Sequence, residues 1–200
     1  MNYPTKSINR YALTKWQGVK DLPEYLQPAE AHRLIAAVAD NRRGDRDSLF
    51  LDLLLQTGIR VSEALAATPS SIIEVDKQPV LAIKRGKGGK ARQVSLPTRL
   101  AYQMLQYQKQ QQLAGDSLFF PITRQRAWQI IKLAAQRAGI DKRTYPHLFR
   151  HSYAIEFLKQ TGHPQALMTL LGHSSPAMTL RYLRLLQVED ALKIAEGVEV

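Results

Sequence analysis

The sequence predicts a mainly α-helical fold with a small antiparallel three-stranded β-sheet, which is an α+β arrangement. Two observations favour it. Most of the chain carries apolar residues at helical spacing, with prolines at helix starts and glycines at helix ends. Between residues 71 and 96 the pattern changes to three short extended runs, SIIEV, VLAIK and RQVSL, which are typical of strands.

The elements follow from the order of these signals. Residues 1–22 are predicted to form an irregular basic arm, and residues 23–200 a single folded domain. The first helix begins at Pro28, and the segment NRRGDRD after it is predicted to be a charged loop. The second helix, SLFLDLLLQT, ends at Gly58. Further helices are predicted at about residues 61–67, 98–112, 124–139, 146–159, 164–172 and 176–196.

Composition narrows the class of function. The 200 residues include 28 Lys and Arg against 17 Asp and Glu, a net charge of +11, which favours a polyanionic partner such as nucleic acid. There is no cysteine, so disulfides, thiolate chemistry and cysteine-based zinc sites are excluded. The N-terminal segment lacks the apolar core of a secretory signal, and no apolar run is long enough to span a membrane. We therefore expect a cytoplasmic protein without a membrane partner.

The segment HLFRH, residues 147–151, is a first candidate for chemistry. On a helix, His147 and Arg150 share a face because they are three positions apart. A zinc hydrolase using His147 and His151 is an alternative, but Leu148 stands where the metalloprotease pattern has glutamate. Taken alone, the segment is also compatible with a solvated surface helix.

Two further segments carry cations next to glycines. In TGIRVSE, Arg60 lies at the junction of two predicted helices, where a helix-end cation without a function is the ordinary interpretation. In RGKGGKARQ, three glycines and four cations lie within nine residues, between two predicted strands. That setting differs from a phosphate-binding P-loop, so the segment is predicted to be a charged hairpin, either simply flexible or reaching DNA.

The segment LGHSSPAMTLRYL places Tyr182 nine positions after His173. A lone tyrosine in an apolar helix usually belongs to the core. Together, however, two arginines, two histidines, one lysine and one tyrosine provide phosphate charge neutralisation, proton transfer and a nucleophile without a metal.

These segments, in this order, resemble the tyrosine recombinase (phage-integrase-like) family over about residues 25–190. The 23 residues from Arg150 to His173 match the usual interval of the family. The resemblance implies the catalytic-domain fold of that family and a DNA recombinase that works through a covalent 3′-phosphotyrosine intermediate, without metal, ATP or other cofactor.

The resemblance also implies residue roles. Tyr182 would attack the phosphate, with His147 assisting its proton transfer. Lys87 would protonate the leaving 5′-oxygen, and His173 would hydrogen-bond a phosphate oxygen. Arg60 and Arg150 would stabilise the transition state, and Glu63 would support them from behind. Predicted DNA contacts are Arg85, Lys90, Arg92, Arg124 and Arg126.

Double-stranded DNA is the predicted partner, with a homotetramer on DNA and a monomer without it. The C-terminal segment VEDALKIAEGVEV is expected to contact a neighbouring protomer. Most members of the family have a separate N-terminal DNA-binding domain, and 22 residues are too few for one. We therefore expect the basic arm or an accessory DNA-binding protein to replace part of it. The alternatives are a type IB topoisomerase-like enzyme that relaxes DNA and a DNA-binding regulatory protein on a recombinase-like scaffold.

Overall fold

The computed structural model describes residues 24–40, 43–84, 91–172, 177 and 179–187. The helices are α1 (Pro28–Ala39), α2 (Gly44–Thr57), α3 (Val61–Leu65), α4 (Thr98–Gln110), α5 (Arg124–Arg137), α6 (Pro146–Thr161) and α7 (Pro164–Leu171). Residues 179–187 form a further helix, here called α8. The strands are β1 (Ile72–Val75), β2 (Gln78–Ile83) and β3 (Arg92–Ser95), preceded by a 3-10 turn, Pro69–Ser71. None of the helices in these ranges has the length and apolarity needed to cross a bilayer.

The sheet has the predicted form. Its three strands are antiparallel and lie in the order β1-β2-β3. Leu81 on β2 lies opposite Val94 on β3, and both side chains are fully buried, so this face of the sheet covers the helical core. Because β2 ends at Ile83 and β3 begins opposite it at Arg92, the intervening segment connects two neighbouring antiparallel strands. The prediction of a small antiparallel sheet within a mainly helical domain is confirmed.

Helix α2 begins earlier than predicted. The segment NRRGDRD was expected to be a loop, but it is helical from Gly44 onward. A Cβ at Gly44 would lie 1.8 Å from the carbonyl oxygen of Ala39, so the chain contacts the end of α1 in a way that glycine permits. Asp45 and Asp47 in the first turn suit the positive end of the helix dipole. The loop prediction was wrong because Arg46 and Asp47 are buried and pair with each other, although charged segments are usually solvated.

The described part of the chain has two separate apolar clusters. The larger one joins α1, α2, α4, α5, the sheet and the start of α6. The smaller one lies between α6, α7 and α8, and its buried residues are Tyr25, Ala154, Ile155, Leu158, Leu167, Leu171, Tyr182 and Leu185. Helix α8, which carries the predicted nucleophile, therefore rests on its own small core and not on the main one.

Candidate active site

A glycine turn positions Arg60. Helix α2 ends at Thr57, and the next residue, Gly58, caps it with a left-handed φ of 60°. A Cβ there would lie 2.5 Å from the ring of Tyr153 and 2.9 Å from Leu171, so the turn also packs closely against α6 and α7. Arg60 follows two residues later and precedes α3, with extended backbone angles. The short connection thus holds Arg60 at the junction of α2 and α3, as predicted.

Glu63 joins two arginines. Its carboxylate accepts hydrogen bonds from the backbone N–H and the guanidinium of Arg60, at 2.8 and 3.0 Å. It also accepts two parallel bonds from Arg92, at 2.9 and 2.8 Å. Burial opposes ionisation of Glu63, but the hydrogen bonds and charges of Arg92 and Arg60 outweigh it and lower the pKa of the carboxyl. Glu63 is therefore a buried anion that joins Arg60 and Arg92.

Arg150 is held inside the protein by main-chain carbonyls. Its guanidinium donates to the oxygen of Gly58 at 2.9 Å and to that of Leu171 at 2.7 Å. Burial and the charge of Arg60 lower the pKa of Arg150 to about 10, so it stays protonated at neutral pH. A guanidinium has five N–H groups, and these two bonds leave others for a phosphate. Arg150 thus ties the Gly58 turn to the end of α7 and brings a fixed positive charge to the site.

The predicted nucleophile contacts a histidine. The Tyr182 hydroxyl lies 2.8 Å from Nδ1 of His151, and the two rings are 5.7 Å apart. Burial, assisted by the nearby His147, Arg150 and Arg181, lowers the pKa of His151 to about 4. His151 is therefore neutral near pH 7, and the tautomer with its proton on Nε2 leaves Nδ1 free to accept the tyrosine proton. Sequence reasoning considered His151 as a zinc ligand and gave the proton-transfer role to His147.

Tyr182 is almost completely buried. Only 1% of its surface is exposed. Burial raises the pKa of Tyr182, while the charges of Arg150 and Arg181 oppose that effect. The phenol is therefore protonated at neutral pH, and its reaction as a nucleophile requires a proton acceptor.

His147 lies on the exposed rim of the same site. Partial desolvation and the charges of Arg150, Arg60 and Arg124 lower the pKa of His147. Because these three arginines act on it, the His147 ring lies near the cations that would contact a phosphate. Arg124 and Arg126 are exposed at the start of α5, where the Thr123 hydroxyl caps the helix by accepting from the Arg126 N–H at 3.1 Å. Their predicted role in DNA contact is compatible with this exposure.

The remaining predicted residues divide into two groups. Lys87, His173, Arg85 and Lys90 lie outside the described residues. Arg92 is described, and its guanidinium points inward to Glu63, with 11% of the side chain exposed. That placement argues against the predicted contact between Arg92 and DNA.

Within the described ranges, no group of three or more histidines and carboxylates is placed to hold a metal ion. The arrangement instead offers fixed positive charge from Arg60 and Arg150, a tyrosine hydroxyl and a neutral histidine next to it. Such a set can bind a phosphodiester and accept a proton from an attacking phenol.

Comparisons with known proteins agree with this chemistry. The model described as the phage integrase family matches residues 24–189. Tyrosine recombinase XerC of Xanthomonas axonopodis pv. citri is 33% identical over 180 residues, covering 87% of this chain and 58% of the relative. The chain thus spans little more than half the length of that relative.

Solved structures show the same fold. The XerH site-specific recombinase in a post-cleavage complex with palindromic difH substrate has a TM-score of 0.76 at 20% identity, over 90% of this chain and 56% of that one. The catalytic domain of bacteriophage HP1 integrase has a TM-score of 0.64 at 24% identity, over 86% of this chain and 94% of that one. The predicted catalytic-domain fold is confirmed.

Proposed function

The chain belongs to the phage integrase family of tyrosine recombinases, and from this premise we propose that it is a site-specific DNA recombinase. It cuts and rejoins DNA strands through a covalent 3′-phosphotyrosine at Tyr182. The observation that carries the proposal is the contact between the Tyr182 hydroxyl and His151 Nδ1, 2.8 Å apart, next to the buried guanidinium of Arg150. Any buried tyrosine hydroxyl needs a hydrogen-bond partner, but packing alone would not require the buried cation of Arg150 nearby.

In the proposed reaction, the Tyr182 oxygen attacks the scissile phosphorus and passes its proton to Nδ1 of His151. The bond from phosphorus to the 5′-oxygen breaks, and that oxygen takes a proton, a role we propose for Lys87. The charge that develops on the two non-bridging oxygens meets Arg60 and Arg150. Religation reverses these steps with a new 5′-hydroxyl. The phosphodiester energy is kept in the covalent link, so the scheme needs no ATP.

The other predicted residues have roles that are consistent with this reaction. His147 is exposed among three arginines, which suits contact with phosphate, and we keep for it a part in proton transfer as a prediction. We propose that His173 hydrogen-bonds a phosphate oxygen, because it follows the helix end that Arg150 holds. Arg124 and Arg126, with Arg85 and Lys90, are proposed to contact the DNA backbone.

The proposed partner is double-stranded DNA in the cytoplasm, bound by a homotetramer in which the segment after residue 187 contacts the next protomer. We propose that residues 23–200 form the catalytic domain, with residues 1–22 as a basic arm. The net charge of +11 supports DNA binding.

Deleting residues 1–20 should weaken DNA binding and reduce its dependence on salt, because four cations are removed. Unchanged binding would show that the arm does not contact DNA.

Adduct trapping tests the proposal. Nicked duplexes, in which cleavage releases a short strand, would be drawn from DNA flanking the gene and incubated with wild type and with Tyr182→Phe. We expect an adduct that survives denaturing electrophoresis in wild type and is missing in the variant, while both bind DNA with similar affinity. Binding without any adduct would favour a DNA-binding regulatory protein. Relaxation of supercoiled plasmid irrespective of sequence would favour the topoisomerase-like alternative.

A further inference from the structure

Arg92 occupies a position that the predicted DNA contact does not explain. It is the first residue of β3, opposite Ile83, and so it ends the connection in which Lys87 lies. Its side chain is directed into the protein, with 11% of it exposed. The two terminal nitrogens of Arg92 donate to the two carboxylate oxygens of Glu63, at 2.9 and 2.8 Å. This parallel arrangement fixes the orientation of both groups.

The third nitrogen of Arg92 reaches another element. Its Nε donates to the carbonyl oxygen of Leu170 at 2.9 Å, in the last turn of α7. The carbonyl of the next residue, Leu171, accepts from Arg150. Two arginines thus cap consecutive carbonyls at the negative end of α7, where cations are stabilising.

Gly172 allows the Arg92 side chain to pack closely against the end of α7. Its φ is +62°, and a Cβ at this position would lie 3.2 Å from Cδ of Arg92. A larger residue would strain the backbone and press on the arginine stem. His173 comes directly afterwards in the chain. The contact between Arg92 and the end of α7 therefore lies one residue before a predicted phosphate ligand.

Glu63 also connects Arg92 to Arg60. One carboxylate is shared between two guanidinium groups, and 23% of the Arg60 side chain is exposed, compared with 11% for Arg92. Because Arg92 takes two of the hydrogen bonds of Glu63, the charge of Arg60 is only partly neutralised and remains available to a phosphate. Without Arg92, Glu63 would pair with Arg60 alone.

We infer that Arg92 is a positioning residue for the proposed reaction. Its hydrogen bonds fix the relative positions of three parts of the protein. These are the pair Arg60 and Glu63, the start of β3 after the segment that contains Lys87, and the last turn of α7 before His173. The kinetic part of this inference rests on the proposed function. Arg92 affects the rate of DNA cleavage and not the affinity for DNA, since its N–H groups donate to protein acceptors.

The first experiment compares Arg92→Met and Arg92→Lys with wild type in single-turnover adduct formation at saturating DNA. We expect cleavage to slow by about 10- to 100-fold, the range for catalytic groups that are slightly displaced. DNA affinity and the slope of log K against log salt should stay at wild-type values. Arg92→Lys keeps the positive charge, so it should fold. Its single ammonium group cannot replace the two bonds to Glu63 and the bond to Leu170 together, so its cleavage rate should still be low.

The matched control is Arg99→Met. Arg99 also pairs with a carboxylate, Asp52, at 2.7 Å, but on α4 and α2 away from the site. It should cleave at the wild-type rate. A salt slope that falls by about 0.9 in Arg92→Met would assign Arg92 to a DNA phosphate and overturn the inference. So would a wild-type cleavage rate in Arg92→Lys.

Hydrogen exchange of the free protein separates this inference from the recombinase proposal, because it requires no reaction. In Arg92→Lys, amides in the last turn of α7 and in α3 should exchange faster than in wild type, while those of α4 should not change. Faster exchange with no wild-type adduct on any DNA would refute the recombinase function and leave the structural role of Arg92 standing. Unchanged exchange in α7 and α3 would overturn that role.

Discussion

His151 gives the protein a pH dependence that can be measured without DNA. Burial, together with nearby His147, Arg150 and Arg181, lowers its pKa from 6.5 to about 4. Between these values the native state keeps His151 neutral, whereas the unfolded chain binds a proton. The unfolded state therefore gains protons relative to the native state as the pH falls. The stability associated with neutral His151 is complete above pH 6.5 and is lost as the pH approaches 4.

The magnitude follows from the two pKa values. Their difference, 6.5 − 4 = 2.5, corresponds to about 3 kcal/mol at 1.36 kcal/mol for each pH unit. The assay is urea unfolding between pH 4 and 8 for wild type, His151→Gln and His32→Gln. Glutamine cannot titrate, so the free energy of unfolding of His151→Gln should lack this pH-dependent loss. The difference in that free energy between wild type and His151→Gln should therefore shrink by about 3 kcal/mol from pH 7 to pH 4.

His32 is the matched control because its ring is exposed on α1. The His32→Gln variant should follow the wild-type curve over the whole range. If His151→Gln loses stability as steeply as wild type, the pKa of His151 is not lowered in the native state. The ring would then be partly protonated near neutral pH, and the argument that it is a buried neutral acceptor for the Tyr182 proton would be refuted.

Three further predictions concern the framework of the site. Glu63→Gln leaves two guanidinium groups without their buried anion, so the free energy of unfolding should fall by about 3 kcal/mol or more, measured by chemical denaturation. Gly58→Ala forces a Cβ to within 2.5 Å of Tyr153 at a left-handed position, so it should cost more than about 2 kcal/mol in the same assay. Arg124→Ala should reduce the salt slope of DNA binding by about 0.9 without changing the thermal midpoint, and an unchanged slope would remove Arg124 from the DNA contacts.

Local signals in the sequence were sufficient to predict most of the fold. The glycine that ends α2, the prolines that begin α1, α6 and α7, and the change to extended runs all act within a few residues. The start of α2 could not be predicted in this way. It depends on a buried pair, Arg46 and Asp47, and on a close contact with Ala39 that neighbouring residues do not reveal.

The candidate site shows the same limit. Arg60 and Glu63 are three positions apart at a helix start, so their pairing could be anticipated from spacing. The partner of Tyr182 is 31 positions away, and which of the two nearby histidines reaches its hydroxyl depends on how α6 packs against α8. Arg92 likewise belongs to a run of cations that suggests a surface, and only the tertiary contact with Glu63 distinguishes it from its neighbours.

The burial of Tyr182 has a consequence for activity. With 1% of its surface exposed, the Tyr182 hydroxyl needs a local rearrangement to contact a phosphate on DNA, and we expect α8 to shift on its small core. Leu185 belongs to that core and is 8% exposed. Truncating it to alanine removes apolar contacts worth about 2 kcal/mol or more. Leu185→Ala should therefore release α8 more often while leaving the main core intact.

Leu34→Ala provides the contrast, because Leu34 is fully buried in the main cluster. In hydrogen exchange, Leu185→Ala should speed exchange in residues 179–187 with little change in α2. Leu34→Ala should instead lower the global free energy of unfolding. If release of α8 limits the reaction, Leu185→Ala should also form adducts faster than wild type at saturating DNA. A slower rate despite faster exchange would mean that the contacts of α8 with α6 and α7 are needed in the reactive state, and that Tyr182 reacts from close to its position in the structure.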